Sequence, residues 1–206
     1  MEFAGYLREK GILAAISHTE AEYDDICAAY KAGFTHAAHF YNAMPGFHKR
    51  REYKYEGTVE SVYLTDGMTI ELIADGIHLP STILKLAYKL KGVEHTCLVT
   101  DALSCAATER QGNQRPALHH RGRRMQTCRP LLSGRQHRHH GRTGAHHGKS
   151  RHPAGRRPAH GFRNPARIMG VYDRKGSLQK DKDADILIMD KELNIRAVWQ
   201  AASWFR

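Results

Sequence analysis

The chain of 206 residues lacks close cysteine pairs, long apolar runs and a leader-like start, and each absence excludes a class of protein. Its four cysteines (Cys27, Cys97, Cys105 and Cys128) form no CxxC pair, which indicates free thiols in a reducing compartment. No apolar run approaches the roughly 20 residues of a membrane span. The first residues also lack the basic-then-apolar pattern of a signal peptide. We therefore expect a cytoplasmic protein without a membrane partner.

Acidic and aromatic residues are almost absent from residues 109–161. This segment holds 12 Arg, one Lys and nine His against a single acid, and it contains no Phe, Tyr or Trp. The other residues of the chain carry 19 basic and 20 acidic side chains, so the net charge of +11 arises in this segment alone. Outside it, the chain is a near-neutral globular sequence.

Four continuous apolar runs occupy residues 1–108, each with a polar residue near its C-terminal end. They are GILAAISH (11–18), THAAHF (35–40), MTIELIADGIH (68–78) and HTCLVTDA (95–102). Such runs are typical of strands that are buried on both faces, as in parallel sheets.

Helices are predicted between the runs. Thr19, with Glu22 three residues later, has the pattern of a capping box, and the helix that follows ends at Gly33. A second helix is predicted over 81–91, with Ser81 as its cap, Gly92 as its end and one apolar face. That face consists of Ile83, Leu84, Ala87 and Leu90.

Strands that alternate with helices of this length indicate an α/β fold, and the spacing suits half of a (β/α)8 barrel. Residues 109–161 show neither helical nor strand periodicity, so we expect them to be irregular. Residues 162–206 regain a turn and two short apolar runs, which predicts a small β appendage with strands within 170–199. The chain therefore divides into three parts, 1–108, 109–161 and 162–206.

The predicted strand ends supply His18, His39, His78 and Asp101. Reacting groups of (β/α)8 enzymes lie at the carboxyl ends of the strands. Imidazoles from adjacent strands suit a metal such as zinc, and an aspartate at the next strand end can exchange protons with water. Structural alternatives remain open, because each histidine could be a hydrogen-bonded structural residue and Asp101 could cap a helix.

The motifs ISHTEA, THAAHFYNAMPGFHKRRE, ELIADGIH and CLVTDA, in this order, closely resemble the N-acetylglucosamine-6-phosphate deacetylase family of the amidohydrolase superfamily. The resemblance covers residues 1–108 almost continuously and implies the C-terminal half of a (β/α)8 barrel. It resumes at NPARIMGVYDRKGSLQKDKDADILIMD, which resembles the family's closing helix and β-sandwich return strands.

The resemblance implies hydrolysis of the acetamide of N-acetylglucosamine 6-phosphate to glucosamine 6-phosphate and acetate. His18 and His39 would be ligands of a divalent metal, zinc or iron, which polarises the acetyl carbonyl and activates water. Asp101 would be the catalytic acid and base that takes the proton of the water and passes it to the departing amine.

Further residues match positions of the family that bind substrate. Asn42 and the backbone of Ala43 would hold the sugar phosphate, and His78 would contact the substrate. Arg51 would reach a phosphate in the neighbouring subunit of the family's homodimer, and the structural alternative is a solvated surface arginine beside Lys49 and Arg50.

The resemblance also shows what the chain lacks. By this resemblance, the family's metal-binding glutamate and the histidine that contacts the acetyl carbonyl would lie on earlier strands, upstream of Met1. We therefore interpret the chain as N-terminally truncated and expect little or no activity from it alone.

The basic segment 109–161 has the length of the corresponding part of the family without resembling it. We interpret it as a shifted reading frame, and an absence of a family-like frame in the coding DNA across codons 109–161 would contradict this. The alternative is a non-catalytic basic and His-rich chain. In that case residues 109–161 would bind nucleic acid or metal only adventitiously. This segment has no aromatic residue to stack bases, and its histidines and cysteine do not have the spacing of a closed metal site. We expect no specific nucleic-acid partner.

Overall fold

The computed structural model describes residues 2–102, 159–190, 194–200 and 203–205. Its elements up to residue 102 are α1 (Glu2–Glu9), β1 (Ala14–Ile16), α2 (Tyr23–Ala32), β2 (Phe34–Ala37), β3 (His48–Arg50), β4 (Tyr53–Tyr55), α3 (Thr58–Leu64), β5 (Thr69–Ile73), α4 (Ser81–Lys91) and β6 (Thr96–Val99). From residue 159 follow a π-helical turn (Ala159–Arg163), α5 (Asn164–Ile168), β7 (Ile186–Met189), β8 (Ile195–Gln200) and β9 (Ser203–Phe205).

Each of the four predicted apolar runs contributes one strand to a parallel sheet in the order β1-β2-β5-β6. Within this sheet the strands lie side by side in the order in which they occur along the chain, with the β3–β4 hairpin inserted between β2 and β5, and this is the neighbour order of a (β/α)8 barrel. The predicted α/β class with a parallel sheet is confirmed, and the architecture is that of part of such a barrel.

The core lies between this sheet and its helices. Strand β5 alternates, with Ile70 and Leu72 fully buried on the helix-packed side and Glu71 on the opposite face. Phe40, just after β2, is also fully buried and packs edge-on against Tyr63 of α3. The opposite face of the sheet carries Thr69, Glu71 and Ile73 of this strand, so polar side chains lie on it beside apolar ones.

The two predicted helices exist, but their first turns differ from the expectation. Helix α2 is capped by Glu22, whose backbone N–H donates to Asp25 Oδ2 at 3.4 Å, whereas Thr19 Oγ1 accepts from Ala21 N two residues outside the helix. The predicted capping box at Thr19 is thus wrong, since the chain turns once more before it becomes helical. Gly33 ends the helix at φ 114°, as predicted.

Helix α4 begins one residue after Pro80 and ends at Gly92. The sequence predicted Ser81 as the cap of this helix. In the structure Ser81 is the first helical residue, and Pro80 occupies the cap position. Leu84 and Ala87 are buried as expected, but Leu90, predicted on the same face, is 53% exposed. The buried stripe is narrower than the apolar pattern suggests.

Several elements were not predicted: α1, the hairpin of β3 and β4, and α3 in the first part of the chain, and the π-helical turn and β9 in the last part. The hairpin places Arg51 at its tip, and α3 covers the core through Val59 and Val62. Their sequences mix charged and apolar residues with a weak period, which leaves little signal.

The C-terminal part docks on the last strand of the sheet. Asn164 at the start of α5 is buried, and its Nδ2 donates to the carbonyl oxygens of Thr96 (2.7 Å) and Val93. Arg163 and Arg167 form ion pairs with Glu94. These contacts cover part of the outer edge of β6, which would otherwise expose unpaired backbone groups.

Strands β7, β8 and β9 form an antiparallel sheet in sequence order, which agrees with the predicted β appendage. Strands predicted within 170–199 begin only at Ile186, because residues 170–185 form turns. Residues 109–158 of the segment predicted to be irregular lie outside the described residues, as do Cys105 and Cys128. Cys27 and Cys97 are free thiols, as predicted. Among the helices described here, none has the length and apolar character to cross a membrane.

Candidate active site

The carboxyl ends of the four parallel strands carry the predicted polar residues at a constant distance. His18, His39 and Asp101 each follow the last residue of their strand, β1, β2 and β6, by two positions. Asp75 has the same position after β5 and was not predicted. Because the strands are parallel, all four residues lie at one edge of the sheet.

Backbone strain is concentrated at predicted site residues, and three of these, His18, His39 and Asp101, lie at this edge. The described chain has seven non-glycine residues with positive φ, and five of them were predicted site residues: His18 (44°), His39 (31°), Ala43 (50°), Arg51 (55°) and Asp101 (48°). A left-handed conformation costs an L-residue roughly 1–2 kcal/mol. Such strain persists where the surrounding structure enforces it and clusters at functional sites. The backbone thus supports a functional strand edge independently of side-chain chemistry.

His18 and His39 lie together. Their rings stack with centroids 4.5 Å apart and an angle of 14° between the ring planes. Asn42 Nδ2 lies 3.3 Å from His18 Nε2 and, as an amide nitrogen, donates to it. The predicted phosphate-binding Asn42 therefore also orients His18. The backbone N–H of His39 donates to Glu71 Oε1 at 2.8 Å, which ties the end of β2 to β5.

The imidazole pair fits a metal in its donor chemistry. His39 Nδ1 is buried and has no hydrogen-bond partner among the described residues, so its desolvation is uncompensated in the protein alone. A cation would satisfy this nitrogen, and imidazole nitrogens are ordinary zinc ligands. The near-parallel rings would have to tilt before nitrogens of both residues could aim at one ion.

A third ligand does not join this pair within the described chain. No His, Cys, Asp or Glu forms a group of three with His18 and His39 in which all ligand atoms lie within 4.8 Å. Asp101 is exposed at the same strand edge. The described donor set is therefore two imidazoles, as the sequence predicts.

One group of three that could hold a metal ion does occur in the described chain, formed by His36, Glu71 and Cys97. It lies within the sheet, on the face opposite the helix-packed core. The sequence did not predict this group, because its three residues lie within strands and not at strand ends. The available signal was a polar residue in mid-strand in THAAHF and in TIELI.

Two residues of this group have shifted pKa values. Burial favours the protonated form of Glu71, but the side chain of His36 and the backbone N–H of His39 outweigh it and lower the pKa of the Glu71 carboxyl below its usual range. Burial, reinforced by the charge of Glu71, raises the pKa of the Cys97 thiol to about 12. The protein alone therefore keeps a carboxylate beside a thiol.

The remaining predicted residues surround the strand edge. His78 is exposed in the loop after β5, where the backbone N–H groups of Ile77 and His78 donate to Asp75 Oδ1 at 2.8 and 2.9 Å. Ala43 is exposed in the turn after β2. Arg51 is exposed at the tip of the β3–β4 hairpin, while its neighbour Arg50 pairs with Glu22.

Comparison with known proteins agrees with this geometry. No protein-family model matches the chain. A curated relative, N-acetylglucosamine-6-phosphate deacetylase of Bacillus subtilis, is 31% identical over 204 residues, which is 94% of this chain and 48% of the relative. The enzyme of the same name from Lysinibacillus sphaericus is 36% identical over 97 residues, 47% of this chain and 24% of the relative.

A solved structure is similar over almost the whole chain. It is an aspartate-to-alanine variant of N-acetyl-D-glucosamine-6-phosphate deacetylase from Mycobacterium smegmatis, in complex with N-acetyl-D-glucosamine-6-phosphate. It matches with a TM-score of 0.75 and 25% identity over 98% of this chain and 54% of that one. Some curated relatives align with nearly all of this chain, and the chain spans about half of their length.

The fold is part of a (β/α)8 barrel, and the carboxyl edge of its sheet carries a pair of histidines, which resembles the metal-dependent hydrolases built on such barrels. Its curated relatives and structural neighbours include N-acetylglucosamine-6-phosphate deacetylases and, from Escherichia coli, an N-acetylgalactosamine-6-phosphate deacetylase. The chain is related to N-acetylglucosamine-6-phosphate deacetylases, and the resemblance found in its motifs is confirmed.

Proposed function

We propose that His18, His39 and Asp101 are part of a site that hydrolyses the acetamide of N-acetylglucosamine 6-phosphate to glucosamine 6-phosphate and acetate. The observation that carries this proposal is the stacked pair of His18 and His39 with the unsatisfied Nδ1 of His39 at the carboxyl edge of a parallel sheet. The relatives named as deacetylases support the reaction and the substrate class.

In this proposal His18 and His39 hold a divalent metal, zinc or iron. When bound, such an ion supplies Lewis-acid polarisation of the acetyl carbonyl. The chain contributes the orientation of the rings, since Asn42 contacts His18 and Glu71 fixes the backbone of His39. Asp101 accepts a proton from the attacking water and donates it to the nitrogen of the departing amine.

The sugar phosphate is bound in this proposal by groups around the turn after β2. Asn42 offers an amide, Ala43 offers its backbone, and His78 contacts the substrate from the loop after β5. Arg51 extends from an exposed hairpin tip, a position from which its guanidinium can reach a phosphate held by a second copy in a homodimer. The protein would then act as a cytoplasmic enzyme of amino-sugar metabolism.

The function is best tested in a protein of the relatives' full length, because the chain spans about half the length of the Bacillus subtilis relative. In a chimera, residues 2–102 of this chain replace the aligned segment of the Bacillus subtilis relative. We expect zinc- or iron-dependent release of acetate from N-acetylglucosamine 6-phosphate, and loss of turnover after chelation. The chain alone should give no turnover above a metal blank, because its described donor set lacks a carboxylate beside the two imidazoles.

Two results would contradict these expectations. A folded chimera that binds metal but releases no acetate would count against the proposed function. Metal-dependent turnover by the chain alone would show that two imidazoles suffice, or that another residue completes the site.

A further inference from the structure

The group of His36, Glu71 and Cys97 is separate from the proposed deacetylase site. One residue comes from each of β2, β5 and β6, and the ligand atoms all lie within 4.8 Å of one another. Glu71 and Cys97 are register partners across the β5–β6 pair, which fixes their side chains on the same face. His36 and Cys97 are each 5% exposed.

The hydrogen bonds around His36 determine which of its nitrogens faces the other two residues. Thr69 Oγ1 donates its only hydrogen to the carbonyl oxygen of Thr35 at 3.2 Å. Its 2.7 Å contact with His36 Nδ1 therefore requires that Nδ1 donates. In the neutral ring, Nε2 then carries a lone pair. A histidine whose second nitrogen is fixed by a hydrogen bond in this way has the arrangement typical of a metal ligand.

The gap between the acceptors suits a cation. His36 Nε2 and Glu71 Oε2 lie 3.8 Å apart, beyond hydrogen-bond distance. A proton on Nε2 makes this contact an ion pair, whereas in the neutral ring two lone-pair atoms face each other and a metal cation can take the place of the proton. Ordinary bond lengths to zinc imply separations of roughly 3.3–3.7 Å between tetrahedral N, O and S ligands. The present arrangement is thus close to what one ion requires, and small side-chain rotations would complete it.

The donor types restrict the ion. Thiolate and imidazole ligands favour zinc and cobalt, whereas magnesium and calcium prefer sets made of oxygen. A thiolate and a carboxylate together also neutralise a divalent charge in a buried place.

We propose that His36, Glu71 and Cys97 bind one thiophilic divalent cation of the zinc class inside the sheet. The metal–sulfur bond forms as the Cys97 thiol releases its proton to solvent, and no electron is transferred. The proposed site has none of His18, His39 and Asp101 among its ligands, and it meets the proposed deacetylase site at Glu71, whose Oε1 accepts from the backbone N–H of His39.

Cobalt(II) is the probe, because a bound thiolate gives it a near-ultraviolet sulfur-to-cobalt charge-transfer absorption that imidazole and carboxylate ligands do not give. The reduced full chain is titrated with cobalt, and the charge-transfer band is followed. We expect the band to saturate at one cobalt per chain, to vanish in C97A and to persist in C27A, the matched control on α2. The His-rich segment can capture cobalt but cannot produce this band through histidine.

A second variant keeps the test independent of any damage to the interior. The triple change C27A/C105A/C128A leaves Cys97 as the one cysteine of the chain and alters no residue of the proposed site. Its band should equal that of the unaltered chain, and zinc should displace it. Absence of the band in this single-cysteine chain, or its persistence in C97A, would overturn the proposal and leave His36 and Glu71 as an ion pair without a metal.

Discussion

Replacing Asp101 with Asn in the chimera is expected to lower kcat for deacetylation by about 10²- to 10⁴-fold, the usual contribution of a general acid–base. Asn has nearly the same shape as Asp but cannot take a proton from water or return it to the amine. Asp101 has the position after β6 that His18 and His39 have after β1 and β2, in a left-handed conformation that an L-residue adopts only under constraint. Initial rates at saturating substrate and metal measure the effect.

The matched control is Asp66→Asn. Asp66 is exposed in the turn before β5, at the opposite edge of the sheet, so its replacement should leave kcat within about twofold of the parent. If Asp101→Asn behaved like Asp66→Asn, Asp101 would not be the acid–base, and its alternative interpretation as a helix cap would gain weight.

Replacing Phe40 with Ala is expected to destabilise the chain by about 3–5 kcal/mol, the range for removing a large aromatic side chain from a core. Phe40 is 0% exposed and contacts the rings of Tyr41 and Tyr63. Since domains are typically stable by about 5–15 kcal/mol, this loss removes a large share of the total. It should also loosen His39, the next residue. Urea unfolding followed by circular dichroism gives the difference.

Phe47→Ala is the control for this effect, because Phe47 is 63% exposed. A surface truncation of this kind should change the free energy of unfolding by less than about 0.5 kcal/mol. A cost below about 1 kcal/mol for Phe40→Ala would mean that Phe40 is not a core residue in solution, and the packing beneath the strand edge would have to be revised.

The parallel sheet could be predicted because strands buried on both faces leave continuous apolar runs, and four such runs are present. The ends of helices α2 and α4 could also be predicted, since glycine at positions 33 and 92 accommodates the backbone turn there. The starts of these helices could not be predicted. Thr19 and Ser81 are residue types that often cap helices, but the course of the chain in the folded protein places Glu22 and Pro80 at the cap positions. The β3–β4 hairpin and helix α3 were not predicted, because their sequences are too short to show a strand or helix periodicity of apolar residues.

The positions of candidate site residues could be predicted where chain position and fold geometry coincide, and the roles of these residues stay predictions. His18, His39 and Asp101 could be chosen because parallel strands bring their carboxyl ends to one edge. Residues within strands gave no such cue, since the closeness of His36, Glu71 and Cys97 depends on the register between β2, β5 and β6. The roles of Asn42, Ala43, Arg51 and His78 remain predictions from the resemblance.

Comparison of the chimera with its His39→Asn variant tests the central claim most directly. Acetate release from N-acetylglucosamine 6-phosphate is measured with bound metal quantified in both proteins, and circular dichroism confirms that both are folded. The account predicts loss of metal and a fall in turnover larger than the roughly 10- to 100-fold cost of losing an outer-shell partner. Equal metal content and equal turnover in the two proteins would contradict the assignment of this strand edge as a metal-dependent deacetylase site.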